Sequence, residues 1–474
     1  MLFNSYGYLF VFLPIALAGY FALQRSSTIA LTWLVAASLF FYAWWNPWHT
    51  PIVLASMAFN FWVGLRIMAS AGNKRPWLWL GIAGNLLLLG LFKYTLFALA
   101  VVADFSGWTH WQSLVPQIAL PLGISFFTFT QIAYLVDTAR GKVDETNPLH
   151  YALFVTFFPH LLAGPILHHK EMMPQFADTT NRVFNPDNFA RGLFLLALGF
   201  GKKVLIADPL GEAANAGYGS IDALGFSGAW TTTLAYTFQI YFDFSGYTDM
   251  ALGAALMFNI RLPVNFDSPY LAANIQDFWR RWHITLSRFL RDYLYIPLGG
   301  NQGGDLRIAA SIMVTFLLGG LWHGAGWTFI VWGGLHGAAL IVYRLWQRVG
   351  FRFPKVFAAI ITFFFVHITW VFFRAQHLGD AMSMLRKLVP TGSDWNALQF
   401  SSWPSLASVG LPYSAPSVGI MLLAAACLTL LPMNSDRLAA RFSARKRESV
   451  WAVVLLTLGT LTLGQVTQFL YFNF

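Results

Sequence analysis

The chain has 474 residues, of which 57% are hydrophobic and 11% charged, and its mean hydropathy is +0.55. A soluble domain carries about twice that charged fraction, and no repeated short alternating strands are evident, so a soluble globule and a β-barrel are both excluded as readings. The formal charge of +10 points to cytoplasmic loops, membrane lipids or a phosphate-bearing substrate, and not to nucleic acid.

Long apolar runs recur from end to end. They predict an all-α polytopic membrane protein of roughly 11–13 transmembrane helices, with re-entrant and amphipathic helices added. In chain order the runs are Tyr8–Leu23, Ile29–Trp45, Ile52–Met68, Trp77–Tyr94, Ile118–Val136, Phe189–Ala207, Trp230–Phe258, Ile308–Trp322, Trp327–Tyr343, Val356–Phe373, Val418–Leu431 and Val450–Phe472. No basic region precedes the first, which is read as a retained span. Residues 1–474 are treated as one membrane domain.

Lysine and arginine set the orientation. The turns with Arg25, with Arg66, Lys74 and Arg75, with Arg140 and Lys142, with Arg344 to Lys355, and with Arg437 to Arg447 are expected in the cytoplasm. Asn46–Pro51, Asp208–Ala229 and Pro390–Ala415 lack Lys and Arg and are expected outside. This threading leaves Arg374, Arg386 and Lys387 on the outward side. Tyr151–His169 is apolar but broken by Pro159, Gly164 and Pro165, and is read as re-entrant. Ile275–Leu290 is expected to form one amphipathic helix, with Phe278, Trp282, Leu286 and Phe289 on its apolar side.

The candidate chemistry concentrates between Asp277 and Gly337. His323 follows a run, Ala309–Trp322, with no ionisable side chain. An ionisable group there is costly and is a functional candidate by default. His283 lies about forty residues earlier in the block Arg280-Arg281-Trp282-His283, where Asp277 or Asp292 could orient an imidazole. Histidine is the natural base near neutral pH, so His323 and His283 are the expected catalytic pair. Arg280, Arg281, Arg288 and Arg291 suit donor phosphates. Trp282, Ser287, Trp322, Trp327 and His336 are candidate substrate contacts. Gln239, Asp243, Ser245, Tyr247 and Asp249 form a polar group inside an apolar run, where carboxylates must be paired or face a wet cavity and are expected to balance an arginine or hold a histidine. His168 and His169 are adjacent, no HExxH motif occurs, and Cys427 is the single cysteine, so no metal site is expected.

Several blocks resemble the membrane-bound O-acyltransferase family, especially the bacterial branch that modifies alginate and teichoic acid. They are Leu120-Pro-Leu-Gly-Ile-Ser-Phe-Phe-Thr-Phe129, Phe157-Phe-Pro-His-Leu-Leu-Ala-Gly-Pro-Ile166, Gly201-Lys-Lys-Val-Leu-Ile-Ala-Asp208, Tyr241-Phe-Asp-Phe-Ser-Gly-Tyr-Thr-Asp249, Phe278-Trp-Arg-Arg-Trp-His-Ile-Thr-Leu-Ser287, Arg291-Asp-Tyr-Leu-Tyr-Ile-Pro-Leu-Gly-Gly-Asn301 and Gly320-Leu-Trp-His-Gly-Ala325. The resemblance covers nearly the whole chain in order. It implies helices around a tunnel joining the two membrane faces, with the near-invariant histidine at His323 and the second position at His283. It also implies an inner-membrane O-acetyltransferase that binds no cofactor, takes acetyl-CoA from the cytoplasm, and serves an exopolysaccharide such as alginate or cellulose through a periplasmic acetyltransferase partner. A transporter or flippase, or a membrane anchor for a modification complex, is the alternative reading.

Overall fold

A computed structural model describes residues 1–107, 119–390, 415–431, 434–442, 446–463 and 469–470. It is 78% helical, and no strand occurs among the described residues. Among the described residues, five helices are long and apolar enough to cross a membrane: Pro47–Ala69, Arg75–Ser106, Asp305–His323, Trp327–Val349 and Lys355–Arg374. Four shorter apolar helices are Gly7–Ala22, Ser27–Ala43, Ser417–Leu430 and Glu448–Leu461. Most of Pro390–Ala415, expected outside from its composition, lies beyond the described residues.

The chain forms two compact units, each discontinuous in sequence. The first comprises Met1–Leu196, Met250–Val264 and Phe442–Ser449. Its main helices are α1 (Leu13–Ala22), α2 (Ser27–Ala43), α3 (Thr50–Ala69), α4 (Arg75–Leu89), α5 (Thr95–Ser106), α6 (Ile124–Ala139), α7 (Pro148–Thr156), α8 (His169–Ala177) and most of α9 (Pro186–Gly201). Polar groups pin its apolar helices in register. The amides of Asn60 on α3 and Asn85 on α4 exchange hydrogen bonds of 3.2 and 2.6 Å. Gln131 on α6 donates to Ser56, and the Tyr151 hydroxyl donates to Gln131. Buried amides must be paired in this way. His168 and His169 both turn to Asp137, at 3.9 and 3.5 Å. The proline-broken segment after α7 keeps one helical turn, Phe158–Leu161. It is buried throughout that turn, and the Phe158 N–H donates to Ser38.

The second unit comprises Ala197–Asp249, Asn265–Arg441 and Val450–Phe474. Its helices are α10 (Asp208–Gly219), the greater part of α11 (Phe226–Met257), α12 (Ile275–Arg281), α13 (Ile284–Leu290), α14 (Asp305–His323), α15 (Trp327–Val349), α16 (Lys355–Arg374), α17 (Leu378–Lys387), α18 (Ala415–Leu430), α19 (Ser435–Ala440) and most of α20 (Lys446–Leu461). The antiparallel pair α14–α15 is the closest packing in it. A Cβ on Gly320 would overlap the Phe329 carbonyl, and one on Gly333 the Phe316 carbonyl. Small residues let helix backbones touch in this manner.

Two expectations are corrected. Ile275–Leu290 is two short helices, not one, because the chain turns at Trp282–His283. Asn265 captures the backbone there: its carbonyl accepts from Ile284 N–H and its side chain from Thr285 N–H. The carboxylates of α11 balance lysines, where an arginine or histidine was expected. Lys203 lies 2.6 Å from both Asp243 and Asp208, and Lys202 lies 2.7 Å from Asp249. Two of the three cations that the threading leaves outward are tethered to protein. Arg374 stacks over Tyr218 and donates to Asn215. Lys387 donates to the carbonyls of Asp222 and Leu224.

Candidate active site

His323 is the last residue of α14 and is 3% exposed. Rings surround it. Trp322, Trp332 and Phe373 have their centroids 4.9, 5.1 and 5.2 Å away. These walls come from α14, α15 and α16, and the Gly320–Gly333 contact is what lets Trp332 reach the imidazole. Excluding water raises the strength of any electrostatic interaction formed here.

His283 is fully buried in the turn between α12 and α13. Its backbone is left-handed, with φ +43°, a conformation that costs a non-glycine residue about 1–3 kcal/mol. Its Nδ1 lies 3.2 Å from Asn265 Oδ1. That oxygen also accepts from the Thr285 N–H and hydroxyl, so it is an acceptor towards His283 too. Nδ1 therefore carries the proton and Nε2 the lone pair. Burial pushes the pKa of the imidazole down to about 3, which keeps it neutral. Phe244 packs edge-on to it at 4.7 Å. The two histidines share a neighbour. The Trp322 ring lies 6.3 Å from His283 and 4.9 Å from His323.

His336 has both ring nitrogens occupied. Trp279 Nε1 donates to Nδ1 at 3.3 Å, and Nε2 lies 3.0 Å from the Thr369 hydroxyl. The hydroxyl in turn donates to the Val366 carbonyl. This geometry fixes a neutral tautomer and ties α12, α15 and α16 together.

A cavity of about 580 Å³ has Ile284, the residue after His283, in its wall. Ile284, Ser287, Trp279 and Phe316 line it, with Arg280, Arg288, Arg291 and Arg344 at its polar margin. Tyr295, Tyr343 and Asn301 complete that margin. Arg291 also pairs with Asp292 at 2.7 Å. Arg281 is absent from this cavity. It is held by Asp277 at 2.9 Å and by the Asp267 carbonyl. Trp282 is buried against Phe278 and Trp370, and Trp327, half exposed, starts α15.

The supporting polar group is a separate cluster. Asp243 and Asp249 take the two lysines, Ser245 lies 3.5 Å from Lys202, and Gln239 abuts Gly211. Tyr247 stacks on Phe469 at 4.3 Å, and the Leu470 N–H donates to Asp243. Phe469 also lies 5.9 Å from Phe244, the ring against His283.

Sequence reasoning missed Asn265, Trp332, Phe373 and Arg344. Arg344 was visible, since it follows α15's apolar face by helical periodicity. Asn265 carried no local signal, because its role depends on a turn eighteen residues later.

A family model described as MBOAT, membrane-bound O-acyltransferase family, matches residues 77–378. The chain is 44% identical to a peptidoglycan O-acetyltransferase of Helicobacter pylori, over 100% of this chain and 98% of that protein. It is 41% identical to a "Probable alginate O-acetylase" of Azotobacter vinelandii, over 91% of this chain and 87% of the relative. A teichoic acid D-alanyltransferase of Bacillus subtilis is 28% identical over 52% of this chain and 66% of that protein.

Proposed function

The chain belongs to the membrane-bound O-acyltransferase family, and from that premise we propose that it moves acetyl groups from cytoplasmic acetyl-CoA to the hydroxyls of a cell-envelope glycan. It is a multi-pass membrane O-acyltransferase. The relatives act, by their names, on peptidoglycan and alginate, which favours a glycan acceptor on the outer face of the inner membrane. A periplasmic acetyltransferase would receive the acetyl group and deliver it, to alginate, cellulose or peptidoglycan.

The observation that carries the reading is the arginine-lined cavity, whose wall includes Ile284, the residue after His283. Guanidinium groups recognise phosphate in bidentate fashion, so Arg280, Arg288, Arg291 and Arg344 would hold the nucleotide end of the donor. Its pantetheine arm would carry the thioester to the histidines. His323 would take the proton of the acceptor hydroxyl. The oxygen would attack the thioester carbonyl, the C–S bond would break, and the thiolate would leave with the proton from His323. His283, held as the Nδ1–H tautomer, would offer its Nε2 lone pair to orient the acceptor or relay the proton. A tunnel between the membrane faces would give the acceptor its path.

Steady-state kinetics with acetyl-CoA test the donor assignment. Arg280→Ala and Arg344→Ala should each raise the donor KM about tenfold with little change in kcat, the pattern of lost ground-state binding. An unchanged donor KM in both variants would remove acetyl-CoA from this cavity.

A further inference from the structure

A larger cavity in the same unit lies apart from the two histidines and has a different chemistry. It measures about 930 Å³. Its walls are Phe238 of α11, Ile360 and Phe363 of α16, and Leu422, Leu423 and Ala426 of α18. Leu423 and Leu430 are 67% and 64% exposed, and Ile360 and Phe364 are exposed as well. On a membrane protein such side chains face acyl chains, so the trough opens to lipid.

Three cations line the same trough: Arg281, Lys355 and Arg437. All three sit at helix ends. Lys355 starts α16, Arg437 lies in α19 just beyond α18, and Arg281 ends α12. The apolar wall runs from there along the bodies of α16 and α18. Charge counting leaves a surplus. Arg281 pairs with Asp277 and Arg437 with Asp267, each at 2.9 Å. Lys355 is exposed and has no carboxylate within 4.0 Å among the described residues. Ser268 also lines the trough.

An inorganic anion would need the cations but not the trough. A neutral hydrocarbon would need the trough but not the cations. We propose that the site holds one anionic glycerophospholipid, its phosphate at Lys355 between Arg281 and Arg437, and an acyl chain lying between α16 and α18. Lys355 and Arg437 belong to the basic turns that lysine and arginine counting assigns to the cytoplasm. The lipid would therefore come from the inner leaflet, where anionic headgroups draw basic residues. The headgroup braces the active-site turn from behind. Arg281 is two residues from His283 and donates to the Asp267 carbonyl, and Tyr270 of the trough stacks on Trp282 at 6.2 Å.

Native mass spectrometry of the full chain released from detergent tests the site. Phosphatidylglycerol and phosphatidylcholine of matched acyl chains would be offered in equal amounts. One phosphatidylglycerol per chain should be retained in preference to phosphatidylcholine. Lys355→Gln should lower that preference about fivefold, the effect of one surface cation on an anionic lipid. Ala426→Trp should fill the trough and abolish retention of both lipids. Lys355 is exposed, so its variant tests the site even where Ala426→Trp fails to fold. Equal retention of the two lipids, an unchanged preference in Lys355→Gln, or displacement of the lipid by soluble glycerol phosphate would each overturn the proposal.

Discussion

His283 sits in a left-handed turn, and its tautomer is set by one oxygen on Asn265. That oxygen serves three donors, so Asn265 acts on the reaction through His283 and is a positioning residue. Asn265→Ala should lower kcat at least about tenfold, because the imidazole would lose its tautomer and orientation. The donor KM should stay near the wild-type value, since the arginine cavity is formed by other side chains. Asn265→Asp keeps an acceptor for Nδ1–H and should retain most of the activity. Steady-state kinetics on both variants check this. Equal losses in the two would mean that Asn265 only supports the fold. The tautomer was beyond the reach of the sequence. Asn265 stands in the run Pro-Val-Asn-Phe-Asp, whose pattern gives no hint that its side chain will meet a histidine eighteen positions on. His323, by contrast, was legible, because an ionisable group in an apolar run demands a reason.

At the scale of elements, the contact of α14 with α15 is the device that delivers Trp332 to His323. Gly333→Ala places a methyl group against the Phe316 carbonyl. The helices must then separate, at a cost of about 1–3 kcal/mol. The variant should show a lower thermal midpoint and reduced transfer together, measured on the purified protein. An unchanged midpoint with full transfer would mean that the helices are not held this closely. The helices themselves were readable from their apolar runs. Predicted Ile308–Trp322 became Asp305–His323, and predicted Val356–Phe373 became Lys355–Arg374. The break at His283 was not readable, because helix periodicity continues through it and only a tertiary partner ends it. The lysine partners of Asp243 and Asp249 were readable in principle. Lys202 and Lys203 interrupt the apolar run Phe189–Ala207, and a charge so placed needs a counter-charge.

Across the whole molecule, the basic turns predict which face each loop takes, and two of the three cations that break the pattern, Arg374 and Lys387, are held by local bonds to protein. In a Cys427→Ser background, Gln302→Cys should react with an impermeant thiol reagent only from the cytoplasm, and Ala223→Cys only from the outside. Labelling of both positions from one side would overturn the threading. The family was legible from blocks spread along the chain, while the arginine cavity required the fold. Its members come from α12, α13, α14, α15 and the turn before α14, and sequence placed Arg281 among them when it lines the second cavity instead. The proposed chemistry turns on His323. The most direct test is transfer of radiolabelled acetyl from acetyl-CoA by the protein in nanodiscs, with alginate and peptidoglycan fragments as acceptors and the periplasmic fraction supplied. Folded His323→Ala should lose label transfer by about 10²–10⁴-fold, the range for a general base, while still binding the donor. Transfer that persists at the wild-type rate in folded His323→Ala would contradict the assignment of His323 as the chemical centre.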